Sequence, residues 1–129
     1  MRRAERFEDL VAWQKARELT KAVYLATRNG ALAKDYGLSG QLQRASVSIM
    51  ANIAEGFERH RLNEFHQFLS TAKASCAEVS SHLCVALDVG YIDQATFDKL
   101  SDSAIEVGRI IGGLRSAIER KRSADHANQ

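Results

Sequence analysis

The residues best placed to do chemistry form a polar stripe within the segment 38–59. Successive spacings of three, four, four and three put them on one side of an α-helix; they are Gln41, Arg44, Ser48, Asn52 and Glu55. Most other directions of this helix are apolar or small, which is more apolar surface than a helix on the outside of a monomer needs. We therefore expect the helix to be buried on several sides, with partners that satisfy its polar side chains.

Two interpretations of the polar stripe are open. In the structural one, the stripe is a hydrogen-bonded network or a subunit contact, in which Arg44 meets Glu55 or a carboxylate of a neighbouring chain. Ser48 and Asn52 would complete that network. In the functional one, the stripe lines a pore or a pocket between subunits, where Arg44 and Asn52 contact a small ligand.

A second candidate set is basic and comes from both ends of the chain and one connection: Arg2, Arg3, Arg59, His60, Arg61, Arg120, Lys121 and Arg122. In an antiparallel four-helix bundle these stretches meet at one end, where they could bind phosphates through counterion release. The other interpretation is a solvated surface of ordinary charge pairs, since several glutamates lie among the basic residues. Only Phe7 and Phe57 are aromatic there, so recognition would be of backbone and shape.

Other catalytic and metal-binding patterns are missing from the sequence. Glu78 and His82 are four residues apart, but the paired Glu-x-x-His motifs of di-iron bundles do not occur. There is no glycine-rich phosphate loop, nucleophile elbow or zinc-ligand spacing. The sequence therefore predicts no catalytic residue, no metal site and no cofactor.

Composition predicts one soluble helical domain spanning residues 1–129, with an ordered core over about 7–122. Apolar residues make up 45% and charged residues 26% of the chain, and proline is absent. The net charge of +2 does not by itself indicate nucleic-acid or membrane binding.

No apolar run approaches the roughly 18 residues of a membrane span, and no signal peptide follows the first arginines. Cys76 and Cys84 are eight residues apart on one helix, about 12 Å and beyond disulfide reach, which fits a reducing, cytoplasmic location.

Four helices are expected, joined by short connections as an up-down-up-down bundle. The first runs over about 8–28 and stops at Asn29-Gly30; the second starts at an N-cap on Ser39 and ends with Gly56 in a left-handed conformation. The third starts at Asn63 and ends at Gly90, and the fourth starts at Asp93 and frays after Arg122. Rows of small residues, including Gly108 and Gly112, predict a close helix crossing.

Three segments resemble the bacterial four-helix-bundle proteins of the 23S rRNA intervening-sequence (S23) family. They are FEDLVAWQKARELTKAVY, YGLSGQLQRASVSIMANIAEG and NEFHQFLSTAKASCAEV. The similarity covers about residues 7–122 and is most specific over 52–56, whereas Met50 stands where the family commonly has proline. The resemblance implies a homopentameric barrel. It also implies a relation to the accessory variability proteins of diversity-generating retroelements, similar pentamers that bind a reverse transcriptase and nucleic acid.

The sequence and the resemblance together predict a non-enzymatic homopentamer that acts as a nucleic-acid-binding or scaffolding accessory through its basic end. Its partners would be further copies of itself, RNA or DNA, or another protein, and not a membrane. Two alternatives are a protein-interaction scaffold without nucleic-acid binding and a protein that binds a small ligand between subunits.

Overall fold

The computed structural model describes residues 3–127, and the side chains of residues 3–125. Within this range the chain is helical and contains no strand. A 3₁₀ turn over Phe7–Asp9 precedes five α-helices: α1 (Val11–Thr27), α2 (Gly30–Lys34), α3 (Tyr36–Glu58), α4 (Leu62–Asp88) and α5 (Gln94–Ala127). The prediction of an all-α protein is confirmed for the described range. The short helix α2 was not predicted, because five residues are too few to show a periodic pattern.

The four long helices pack in a closed ring, since α1 contacts α3 and α5, and α4 contacts the same two helices from the other side. Three residues join α3 to α4 and five join α4 to α5, so that consecutive helices turn back on each other. This up-and-down course brings the N-terminal lead, the α3–α4 turn and the last turns of α5 to one end of the bundle. None of the helices in the described range is long and apolar enough to span a lipid bilayer.

The core follows the apolar periodicity of the sequence. Each long helix buries residues three or four positions apart, and the fully buried large side chains include Leu19, Ile49, Leu69, Val79 and Ile111. In α3, however, Val47 remains 41% exposed on the side away from this core. The expected burial of this helix on several sides is therefore not provided by one chain alone.

Predicted helix starts differ from the structure by two to four residues, and α1 begins at Val11 and not near Glu8. Asp35, not Ser39, is the N-cap of α3, because its carboxylate accepts a hydrogen bond from the Leu38 N–H at 3.0 Å. Ser39 lies inside the helix and donates its hydroxyl hydrogen bond to the Asp35 carbonyl at 2.8 Å. Helix α4 begins at Leu62, so Asn63 is its second residue and not its cap.

The predicted start of the last helix is confirmed, since the Thr96 N–H donates to the Asp93 carboxylate at 2.8 Å. Gly90 ends α4 with a positive φ of 79°, as expected. Helix α5 continues beyond Arg122 to Ala127.

The prediction that Gly56 ends α3 in a left-handed conformation is wrong. Gly56 is a buried residue within the helix. A Cβ atom at Gly56 would lie 2.7 Å from the Phe68 Cβ and 2.9 Å from the Phe65 Cδ1 of α4. Glycine is needed here because the two helices approach too closely for any side chain. The left-handed residue of this turn is His60, with a φ of 57°.

Candidate functional site

The middle of the polar stripe is satisfied within the chain. The Ser48 hydroxyl lies 3.0 Å from the hydroxyl of Ser75 on α4. The Asn52 side-chain amide donates to the Ser48 carbonyl at 2.8 Å and to its hydroxyl at 3.0 Å. The Ser48–Ser75 bond joins α3 to α4, whereas the two Asn52 bonds lie within α3.

The ends of the polar stripe are separated from each other. Arg44 and Glu55 are eleven positions apart on one helix, about 16 Å along its axis, so the suggested contact between them is not formed. The Arg44 guanidinium instead lies over Gly40, about one turn earlier, with its nearest nitrogen 3.1 Å from where a Cβ would stand. Among the described residues, no hydrogen bond or ion pair engages the side chains of Gln41, Arg44 or Glu55.

Two shallow depressions divide these unpaired groups. Gln41, Arg44 and Ser48 face Ser75, Glu78 and His82 of α4 across a groove of about 390 Å³. Glu55 lines a separate depression of about 480 Å³ with Glu58 and Arg59. The structure therefore resolves the predicted stripe into a bonded centre and two solvent-facing ends.

At the basic end, carboxylates neutralise part of the predicted cluster. Glu64 lies 3.7 Å from both Arg59 and Arg61, and Glu119 lies 2.9 Å from Arg122 and 3.2 Å from His66. In the part of the chain that the structure describes, Arg3, Arg120 and Lys121 form no ion pair. Arg2 lies outside the described residues.

One depression at this end brings basic groups from three separate segments together. This end pocket has a volume of about 430 Å³ and is rimmed by Arg3, His60, Arg61 and Lys121. Its apolar lining consists of Gly56, Phe57, Leu62, Phe65, Ala117 and Ile118. None of the described residues that line it is a carboxylate. A neighbouring cleft of about 660 Å³ differs in charge, because Glu64, Glu119 and Asp125 line it beside Arg61 and Arg122.

Aromatic packing shapes the end pocket. The Phe57 and Phe65 rings meet edge to face with centroids 6.0 Å apart, and the Phe57 and His60 ring centroids are 6.2 Å apart. The φ of His60 is unusual for a residue with a side chain and costs conformational energy. Sequence reasoning placed only Phe7 and Phe57 near the basic end. Phe65 starts a repeat of apolar residues three and four positions apart that predicts the core face of α4, and only packing brings it to this pocket.

Sequence reasoning also missed a basic groove along the side of the bundle. Lys73 on α4 and Arg109 and Arg115 on α5 line it, over a floor of small residues that includes Ala74, Ala77 and Gly108. The Arg115 Nε is buried without a hydrogen-bond partner among the described residues. The signal was present in the sequence as basic residues beside the two rows of small residues.

This side groove corrects the prediction of a close crossing at Gly108 and Gly112. A Cβ at Gly108 would make only ordinary contact with Cys76 at 3.9 Å, and one at Gly112 would meet the flexible end of Lys73 at 3.7 Å. The groove is therefore open, and the close crossing occurs at Gly56.

Burial raises the pKa of the Cys76 thiol to about 11, although the nearby Lys73 ammonium lowers it somewhat.

Among the described side chains, no three His, Cys, Asp or Glu residues come together in a group that could bind a metal ion.

Tyr91 and Asp35 meet at the opposite end of the bundle. The tyrosine hydroxyl donates to the Asp35 carboxylate at 3.0 Å, and this bond raises the pKa of Tyr91.

Comparison with known proteins identifies a family and a fold. The family model described as "23S rRNA-intervening sequence protein" matches residues 8–113 of the sequence. The fold is similar to the crystal structure, at 1.70 Å resolution, of a protein of unknown function from the S23 ribosomal protein family of Bacteroides thetaiotaomicron VPI-5482. The TM-score is 0.76 at 21% identity, over 82% of this chain and 96% of the other. No curated protein matches significantly.

Proposed function

The chain belongs to the 23S rRNA-intervening sequence protein family, and from this premise we propose that it is a non-enzymatic, homopentameric accessory protein that binds nucleic acid at its basic end. The observation that carries this proposal is the end pocket, where Arg3, His60, Arg61 and Lys121 converge with no carboxylate among the described lining residues. Fixed cations that are not neutralised by neighbouring acids are what a phosphate backbone requires.

The pattern of ion pairs supports this end over a general surface effect. Arg59 and Arg122 have carboxylate partners at 3.7 and 2.9 Å, and Arg61 lies 3.7 Å from Glu64 while it also lines the end pocket. Arg3 and Lys121 have no such partner within the described range. The binding surface proposed here is therefore smaller than the full basic set that the sequence suggested.

Assembly into a pentamer would strengthen such binding because each copy adds phosphate contacts at the same end. Apolar side chains remain exposed on the flanks of the chain, with Val47 at 41%, Val85 at 46% and Ile105 at 47%. The open side groove, with its small-residue floor, lets another helix approach closely. These features support self-association, and the free thiols of Cys76 and Cys84 support a cytoplasmic location.

The experiment compares two variants that lose the same charge at opposite ends. One carries Arg3→Gln, Arg61→Gln and Lys121→Gln, and the control carries Arg28→Gln, Lys34→Gln and Lys99→Gln. Fluorescence anisotropy with labelled single strands and duplexes of RNA and DNA is titrated across salt concentration, and native mass is measured on the same samples.

We expect wild-type binding to weaken steeply with salt, and the basic-end variant to lose affinity and salt dependence, by about 0.9 in the log–log slope per duplex phosphate contact removed. The control should bind like the wild type. Equal loss in both variants would refute the basic end as the binding site. No binding at low salt would refute the nucleic-acid role and favour a protein-interaction scaffold. A monomeric mass at micromolar concentration would refute the pentamer.

Arg44 favours a second candidate function. Its guanidinium has no partner in the described range and lines a groove with Gln41, Glu78 and His82, where it would bind an anionic group of a small ligand held between subunits. Such a ligand would raise the melting temperature of the wild type and not that of an Arg44→Gln variant. A broad metabolite screen without any shift would count against this function.

A further inference from the structure

The end pocket combines two kinds of surface that a plain phosphate-backbone site does not need. Its rim carries three permanent cations, from Arg3, Arg61 and Lys121, together with the His60 imidazole. Its floor is apolar and aromatic, with the half-buried rings of Phe57 and Phe65 beside the buried Ile118. A ligand that satisfies both must join a strongly anionic group to an apolar or planar body.

The charge of the rim indicates how anionic that group is. A phosphodiester within a strand carries one negative charge, whereas a phosphomonoester carries about 1.5 to 2 at neutral pH and offers three acceptor oxygens. Three cations converging on one depression without a carboxylate in the described lining match a monoester better than a single diester. Arg61 shares part of its charge with Glu64 at 3.7 Å, whereas Arg3 and Lys121 pair with no carboxylate among the described residues.

The size of the pocket limits the rest of the ligand. A volume of about 430 Å³ lies in the range of small-molecule sites, about 300 to 1,000 Å³, and suits one nucleotide and not a run of them. Aromatic rings such as Phe57 bind the face of any base, so this surface recognises a base without reading its identity.

We propose that the end pocket binds a nucleotide phosphomonoester, with the phosphate at the rim and the base against the Phe57 and Phe65 floor. The source is either a free nucleoside monophosphate or the phosphorylated end of a strand, and the second source rests on the nucleic-acid function proposed above. His60 lines the pocket on the side of the α3–α4 turn. Its positive φ of 57° would be less strained in a glycine, yet the turn carries an imidazole there.

The test measures the preference for a phosphorylated end. Anisotropy is recorded with an eight-nucleotide DNA labelled at its 3′ end and carrying either a 5′-phosphate or a 5′-hydroxyl, and with a matched pair bearing the phosphate at the 3′ end and the label at the 5′ end. Calorimetry with adenosine monophosphate, adenosine and inorganic phosphate covers the free ligand. The variants are Lys121→Gln for the rim, Phe57→Leu for the floor and His60→Gly, which keeps the backbone conformation but removes the ring. Lys99→Gln is the control for charge.

A phosphorylated end should raise affinity about tenfold, as expected for hydrogen bonds to a charged group, and Lys121→Gln should abolish most of this preference. Phe57→Leu should weaken adenosine monophosphate binding about fivefold or more while leaving inorganic phosphate unchanged. His60→Gly should also weaken nucleotide binding although the fold is not strained. Lys99→Gln should leave every preference as in the wild type.

The outcomes separate this inference from the function on which it partly rests. Salt-dependent binding without any preference for a phosphorylated end, and without adenosine monophosphate binding, would overturn the inference and leave the proposed function standing. Binding of adenosine monophosphate with no binding of any strand would support the pocket and overturn the nucleic-acid role. A preference that survives in both Lys121→Gln and Phe57→Leu would place the monoester elsewhere and overturn the inference.

Discussion

The tight contact of α3 with α4 at Gly56 gives the sharpest stability prediction. A Cβ at Gly56 would lie 2.7 Å from the Phe68 Cβ, against ordinary contact distances of 3.4 to 4 Å. Because the Phe68 Cβ is bonded to the α4 backbone, no side-chain rotation relieves this overlap, and the helices must move apart. Overpacking of this kind costs about 1–3 kcal/mol. Replacing glycine in a helix by alanine returns roughly 0.5–1 kcal/mol.

We therefore expect Gly56→Ala to lower the free energy of unfolding by about 0–2.5 kcal/mol, and by about 1–3 kcal/mol relative to an alanine substitution at a helical glycine that is not crowded. Gly113→Ala is the matched control, because it also lies within a helix but a Cβ there would meet nothing within 4 Å. It should raise the free energy of unfolding by about 0.5–1 kcal/mol. Urea unfolding followed by circular dichroism, at equal protein concentration, measures both. If Gly56→Ala is as stable as Gly113→Ala, the close approach of α3 and α4 is refuted.

Two further predictions concern titrating groups. At pH 8 a thiol reagent should label the exposed Cys84 and leave Cys76, because burial raises the Cys76 pKa to about 11; peptide mass spectrometry in and out of urea checks this, and rapid native labelling of Cys76 would contradict it. Tyr91→Phe should destabilise the protein at neutral pH, since the bond to Asp35 raises the Tyr91 pKa in the folded state. That stabilisation is complete below the unfolded pKa of about 10 and is lost as pH rises through the folded one. The difference in urea midpoint should therefore close at alkaline pH, with the exposed Tyr36→Phe as the control; a gap that persists there would contradict the assignment.

Local periodicity predicted most of the core correctly. On α4 the apolar repeat predicts a core row of Phe65, Leu69, Ala72, Cys76, Val79, Leu83 and Ala86, and all of these except the half-buried Phe65 are buried. On α5 it predicts Phe97, Leu100, Ala104, Val107, Ile111, Leu114 and Ile118, of which Phe97 and Leu114 are half-buried and the others are buried. Burial on a helix repeats every three or four residues, so the sequence carries this information within each segment. Helix starts were less predictable, because several residues near each start can act as a cap and packing selects one of them, as with Asp35 over Ser39.

The candidate site was predicted only as a set of residues. The predicted up-and-down topology correctly brings together the N-terminal lead, the α3–α4 turn and the end of α5. It does not say which of the basic side chains form ion pairs with a neighbouring carboxylate. The pairing of Glu64 with Arg59 and Arg61 depends on side-chain positions within a few ångströms. Phe65 reads as a core residue in the sequence and becomes part of the end pocket only when α4 packs against α3 at Gly56.

The sequence by itself determined the helical class, the buried faces, the family and the end of the bundle at which basic residues gather. These follow from the composition, from the local repeat of apolar residues and from the direction of each helix. None of the three requires knowledge of the distances between helices in the folded chain. The tertiary structure alone decided where helices touch, which arginines pair with a carboxylate and which aromatic rings lie beside the basic side chains. Those features depend on the angle and the distance at which two helices pack. The packing angle and distance are determined by side chains of segments far apart in the sequence, and only once those segments are in contact.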